Sequence, residues 1–202
     1  MLLDLPKSAK VDKFIAKKTF ADKVANAKVL FANIEKITWA YKLSPKTINI
    51  PNTTKVEEIH IFDIQLKSKE IPKKALHEIQ KLIPYPILFR LIYDTKFCYS
   101  ISLLDKQSYY FTEFDECVKF NFLDTDLEKV YQNIVKKFLK NIEENSSIDF
   151  NQSIERDKQI KILEKEIQAL ENKLKKEKQF NKQLELSRLL KPKEEALKNL
   201  KR

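Results

Sequence analysis

Residues 154–190 read IERDKQIKILEKEIQALENKLKKEKQFNKQLELSRLL, a charge-rich stretch without glycine that decides how the chain is built. Ile160, Leu163, Ile167, Leu170 and Leu174 are spaced three, four, three and four apart. That spacing keeps a narrow apolar seam on one helix face and asks for a partner helix. The next two seam positions hold Glu177 and Asn181, after which Phe180, Leu184 and Leu190 carry a shifted stripe up to Pro192. The reading is therefore a short or interrupted coiled coil over 154–202. Each fully buried Leu or Ile is worth roughly 1.5–3 kcal/mol, so the seam takes as its partner either another chain or this chain folded back around Asn181.

Upstream, 1–145 has the length and apolar content of one domain with its own core, joined to the helical extension by a polar linker at 146–153. The chain has no glycine. This excludes the GxGxxG turn and the P-loop, since both need backbone positions that a Cβ blocks. The net charge of +10 sits at the two ends. Residues 1–55 carry 11 basic and 4 acidic side chains, 56–150 carry 13 and 16, and 151–202 carry 15 and 9. Basic ends attract polyanions, although scattered lysines with one early arginine, Arg90, also fit a lysine-rich composition and nothing more. No segment is a signal peptide or a spanning helix, and Cys98 and Cys117 form no CxxC pair, so the expectation is a cytoplasmic protein with reduced thiols and no membrane contact.

Taken in order, Thr19 caps a helix whose apolar face is Phe20, Val24, Ala27, Phe31 and Ile34, running to about Tyr41 with a possible break near Asn26. Trp39 and Tyr41 near its end anchor a core or, among Lys36 and Lys42, stack bases. Lys46–Ile50 reads as a short edge strand between Pro45 and Pro51. Val56–Leu66 alternates as a strand, Pro72 opens a helix buried through Ala75, Leu76, Ile79, Leu82 and Ile83, and the next strand starts after Pro86. Ile87–Tyr93 and Phe97–Leu103 form a hairpin around Asp94-Thr95-Lys96, with further strands at Tyr109–Phe114 and Val118–Phe122. Asp124 or Thr125 caps a last helix with Leu127, Val130, Tyr131, Ile134, Phe138 and Ile142 on its stripe. The fold class is α+β, a mostly antiparallel sheet packed with helices and followed by the coiled-coil helix.

Several segments together carry a resemblance: Leu5-Pro6-Lys7-Ser8, the run Trp39–Ile50, Ile61-Phe62-Asp63-Ile64, Ile83–Phe89 and Glu177–Asn181. In their order they resemble the bacterial family of unknown function numbered 4391, over nearly the whole chain. The resemblance implies a DNA-handling setting, because members of that family are encoded beside helicase and DNA methyltransferase genes of restriction-type defence loci. It also implies Glu, an apolar residue and Lys where this chain has Asp63-Ile64-Gln65, a departure at both ends.

An acidic residue two before a lysine on a central strand is the metal-binding tip of restriction-type nucleases, where a carboxylate holds Mg²⁺ and the lysine positions water. The candidates for that role are Asp63 and, further along the strand, Lys67, with Glu57 or Glu58 as a second ligand. The plainer reading is a solvated strand face. His60, His77, Cys98 and Cys117 match no zinc spacing, no serine sits in a nucleophile elbow, and no cofactor motif is present. For polyanion contact the candidates are Lys173, Lys175, Lys176, Lys178, Lys182 and Arg188. The sequence therefore points first to a non-catalytic assembly subunit that docks on a protein partner, or on itself, through the coiled coil. A divergent nuclease and a direct nucleic-acid binder stand as alternatives.

Overall fold

The structure is a computed structural model that describes residues 3–105, 108–139 and 149–201. By packing, the chain divides into two compact units, Met1–Phe138 and Leu139–Arg202.

The first unit is built on a six-stranded sheet in sequence order: β1 (Lys10–Ile15), β2 (Ile34–Leu43), β3 (Ile59–Leu66), β4 (Ile87–Tyr93), β5 (Lys96–Ser102) and β6 (Tyr109–Phe111). Its helices are α1 (Lys18–Ala21), α2 (Ala27–Leu30), α3 (Pro45–Ile48), α4 (Lys73–Leu82) and α5 (Leu127–Lys136). Neighbouring strands are antiparallel except β3 and β4, which α4 joins as a parallel crossover. Strand alternation sends Phe62, Ile64, Phe89, Leu91 and Cys98 to one face, where they form a buried cluster with Phe20, Phe31, Leu76 and Ile79 from the helices. α5 is capped by Asp126, which accepts from the Lys129 N–H, and buries Leu127, Val130, Tyr131 and Ile134; the Tyr131 hydroxyl donates to the Ser102 carbonyl at 3.0 Å.

Without glycine, the positive-φ residues among those described are Asn and Asp: Asn26, Asn49, Asp94 and Asp115, and Asp12 at the register shift inside β1. Asn and Asp tolerate that region because a short polar side chain can bond the local backbone. The chain breaks at Asn26, which turns left-handed, as the two-helix alternative has it, but the helix expected to reach Tyr41 is overturned from Ile34, where the period falls to two and Trp39 and Tyr41 lie on β2. Lys46–Ile50 is likewise no strand. Ser44 and Thr47 form a capping box around Pro45 that starts α3, and left-handed Asn49 ends it. Val118–Phe122 joins no ladder, since Phe120 packs instead on Tyr99 and Phe138 at centroid distances of 4.8 and 6.0 Å. Ile142 and positions 146–148 of the expected linker lie outside the described residues.

The second unit is a pair of antiparallel helices, α6 (Phe150–Lys176) and α7 (Phe180–Leu200). α6 begins at Phe150, four residues before the expected start, because the Asp149 carboxylate accepts from the Asn151 N–H at 2.9 Å. The seam meets its partner within the chain, which turns back at 177–179, slightly earlier than Asn181. Along α6, Ile160 and Ile167 are buried and Leu163, Leu170 and Leu174 half-buried. Gln183, Leu186, Leu190, Lys193, Leu197 and Leu200 are half-buried along α7 at the same three-and-four spacing, with Ser187 beside Leu186. The stripe read from Phe180, Leu184 and Leu190 is thus corrected: Phe180 and Leu184 are exposed. Pro192 lies inside α7, which continues through it to Leu200.

Candidate functional site

Asp63 and Arg90 are Cα partners on the parallel strands β3 and β4, on the face opposite Phe62. The Arg90 Nε donates to one Asp63 oxygen at 2.8 Å and a terminal nitrogen donates to the other. With the side chains 16% and 19% exposed, this is a two-pronged pair partly shielded from water. Burial lowers the Arg90 pKa, but the bonds and charge of Asp63 outweigh it and hold the guanidinium above its ordinary value. Lys67, the other candidate for a nuclease tip, lies past the end of the strand that carries Asp63. β3 ends at Leu66, the Lys67 side chain is exposed, and its backbone N–H bonds the Asn33 carbonyl. Glu58, considered as a second ligand, accepts from Lys42 at 2.6 Å and contacts the His60 Nε2 at 3.0 Å. Among the described residues no group of three or more His, Cys, Asp and Glu is placed to hold a metal ion. A divalent ion at Asp63 would have to displace Arg90.

His60 anchors a set of rings on the other face of the sheet. Its imidazole lies 4.6 Å from Trp39 and 5.1 Å from Tyr85 between centroids. The Trp39 Nε1 donates to the Tyr41 carbonyl at 2.9 Å, fixing the indole. Tyr85 is held through its backbone: the buried Gln80 donates to the Tyr85 carbonyl at 2.8 Å and accepts from the Ile87 N–H at 3.1 Å. Burial pushes the His60 pKa down, against the pull of Glu58; for Glu58, burial acts upward but Lys42 and His60 prevail and lower it. Burial thus favours the neutral His60 ring, and because an ionised carboxylate only accepts, the nitrogen facing Glu58, Nε2, is the one that carries hydrogen. Cys98 is buried in β5 with its thiol pushed up to about 12, and His77 contacts the Tyr109 hydroxyl at 3.2 Å.

The turn between α6 and α7 collects charge. Lys173, Lys175, Lys176, Lys178, Lys182 and Arg188 are all exposed, and among the described residues none forms a salt bridge. Residues 173–188 carry six basic and two acidic side chains. Cations at the last turn of α6 suit the negative end of its dipole, but Lys178 precedes the α7 N-cap Gln179 and Lys182 lies in the first turn of α7. A cation there opposes the dipole. Glu177 offsets part of this by accepting from the Lys178 and Gln179 N–H groups, both at 2.9 Å. Farther from the turn the helices are stitched by Glu166–Lys193 at 2.6 Å and Glu164–Lys201 at 2.8 Å. Beside the lysines stands Phe180, 75% exposed, with Leu184 one turn on.

A family model described as a domain of unknown function (DUF4391) matches residues 3–197 of the 202-residue chain. The chain belongs to the DUF4391 family. The match takes in both units, so the sheet and the helical hairpin are parts of one family pattern. No curated protein and no solved structure matches the chain. Among the described residues, no helix is long and apolar enough to cross a membrane.

Of the polyanion candidates, Lys173, Lys175, Lys176, Lys178 and Lys182 flank the turn and Arg188 lies farther along α7, while Asp63 bonds Arg90 and Lys67 follows the end of β3. Sequence reading missed the Asp63–Arg90 pair, whose signal was a lone early arginine among lysines. It also missed the Trp39–His60–Tyr85 ring set, whose members come from separate segments and share no spacing.

Proposed function

We propose that the chain is a non-catalytic subunit that holds nucleic acid through the lysine-rich turn of its C-terminal hairpin. It works beside DNA-handling enzymes of the kind the family resemblance implies. One observation carries the reading: the turn gathers exposed lysines that form no salt bridge among the described residues, in excess of the nearby Glu177 and Glu185, and two of them work against the α7 dipole. The excess of positive charge beyond what the α6 dipole favours is left for a partner, and a phosphate backbone binds such a cluster by releasing counterions. Phe180 adds an aromatic face beside those cations, suited to an unpaired base or a groove edge. Docking through the seam loses its motive, since α7 occupies that face.

The test is fluorescence anisotropy with labelled single-stranded and duplex DNA, comparing the full chain with a variant carrying Gln at 173, 175, 176, 178 and 182. At least tenfold weaker binding at unchanged melting temperature is expected. Equal binding by the two proteins contradicts the proposal, as does a wild-type chain that ignores DNA and binds anionic vesicles.

A further inference from the structure

A cavity of about 460 Å³ opens on the helix-covered face of the sheet, beside edge strand β1, between α1 and the end of α4. One wall is the ring set Trp39, His60 and Tyr85; the buried Phe62 and Phe20 also line it. Lys13 and Lys23 line it too, Lys13 as the cross-strand partner of Trp39, and both are exposed. No carboxylate is among the lining residues. Next to Lys13, Phe14 is 61% exposed on the same cavity, an aromatic side chain that the fold does not cover. The residues that shape the wall are fixed from outside: Gln80 holds the Tyr85 backbone, Glu58 holds His60, and the Tyr41 carbonyl holds the indole. The bonds of Trp39 and His60 set ring orientation, and Gln80 sets the path of the backbone that carries Tyr85 into β4, giving a preformed apolar site with few polar groups.

We infer that this cavity binds a nucleobase together with its phosphate, the ring packing against the Trp39–His60–Tyr85 wall and the phosphate meeting Lys13 and Lys23. Rings rather than branched aliphatics form the wall, which favours a flat ligand; two lysines without an opposing acid favour an anionic one. His60 supplies the polar element. Its Nε2 faces Glu58, so Nδ1 is the acceptor of the neutral ring and suits an exocyclic amino group. With no glycine in the chain, no backbone cradle holds the phosphate. A free mononucleotide therefore binds weakly, and an unstacked base in a strand gains from its neighbouring phosphates. The identity of the ligand rests on the proposed function, but the test is read elsewhere in the molecule.

Trp39 is the one tryptophan of the chain, so emission excited at the red edge, where the seven tyrosines do not absorb, reports on this wall. Titrating the full chain with AMP, a single-stranded ten-nucleotide DNA and the matching blunt duplex should give saturable quenching with the first two and none with the duplex. The single strand should act at least tenfold lower in concentration than AMP. The exposed pair Lys13→Glu and Lys23→Glu should raise the half-quenching concentration of AMP at least tenfold without changing the melting temperature. Quenching by AMP that the strand does not reproduce assigns the ligand to a free nucleotide; quenching by both assigns it to a strand, and each supports the inference. No saturable quenching by AMP overturns it, as does indifference to the lysine reversals. So does decanoate displacing AMP at the same concentration, which would mark an ordinary apolar pocket. The glutamine variant of the hairpin turn should leave the AMP curve unchanged. A null at Trp39 with lysine-dependent DNA binding intact removes the pocket and spares the hairpin, and the reverse result removes the hairpin and spares the pocket.

Discussion

Asp63 and Arg90 close two hydrogen bonds across neighbouring strands, and Glu58 divides its oxygens between Lys42 and His60. At the hairpin turn, Lys173, Lys175, Lys176, Lys178 and Lys182 stand in water without such partners. The difference follows from where each set lies. A charge taken partly out of water is costly unless paired, so the sheet retains charges whose partners the strand register supplies. An exposed lysine costs the fold little, which frees the turn to carry charge that stability does not need. The same contrast runs along the hairpin: away from the turn its cations meet Glu164 and Glu166 across the helix pair, and at the turn they do not.

The largest effect that can break this comparison is expected in the sheet. Arg90→Leu leaves the Asp63 carboxylate half-buried without its main donor, and should lower stability by about 3 kcal/mol, read as a reduced midpoint in denaturant. A loss under about 1 kcal/mol would show the pair to be a solvated surface contact. The hairpin turn should behave oppositely, with the five lysine-to-glutamine changes leaving the melting temperature within a degree or two while DNA affinity falls at least tenfold, about 1.4 kcal/mol.

Acid sharpens the contrast further. The folded chain holds His60, mainly through burial, below its ordinary 6.5, so as pH falls below that value the unfolded chain takes up a proton first. Stability should then decline from pH 6.5 downward, with Glu58, held below 4.5, adding a loss of the same sign in its own range. Urea midpoints at pH 8, 6 and 4 measure it. His60→Gln should remove the upper part of the decline, and a wild-type midpoint unchanged from pH 8 to 5 would contradict the assignment. The smallest effect belongs to the half-buried Lys193 and the exposed Glu166, whose charged ends remain in contact with water. A double-mutant cycle on them should give no more than about 0.5 kcal/mol, and a larger coupling would mean that the hairpin depends on its charges after all.

Much of the sheet was legible because local signals and final packing agree. Ile87–Tyr93 and Phe97–Leu103 alternate around a turn at Asp94, and α4 shows one buried stripe between Pro72 and Pro84. The segment from Phe20 to Tyr41 misled because Phe20, Val24, Ala27, Phe31 and Ile34 fit one helix face, which hid the change to strand at Ile34. In a chain without glycine, Asn and Asp carry the punctuation of turns, and their weight is easily underestimated. The hairpin turn left one mark in the sequence, the loss of the apolar seam at Glu177; its charged residues were readable, their gathering at a bend was not. The pair Asp63–Arg90 depends on a parallel register across a crossover, and the ring wall depends on β2, β3 and the α4–β4 connection meeting. Neither leaves a spacing in the sequence.

The salt dependence of DNA binding tests the central claim most directly. If the lysines of the turn meet phosphates, the logarithm of the binding constant should fall steeply with the logarithm of salt, by about 0.7–0.9 per phosphate neutralised. The glutamine variant should then show a slope shallower by about 3 or more, corresponding to four or five lost contacts. Parallel lines for the two proteins would mean that the unpaired charge at the turn is not where nucleic acid is held.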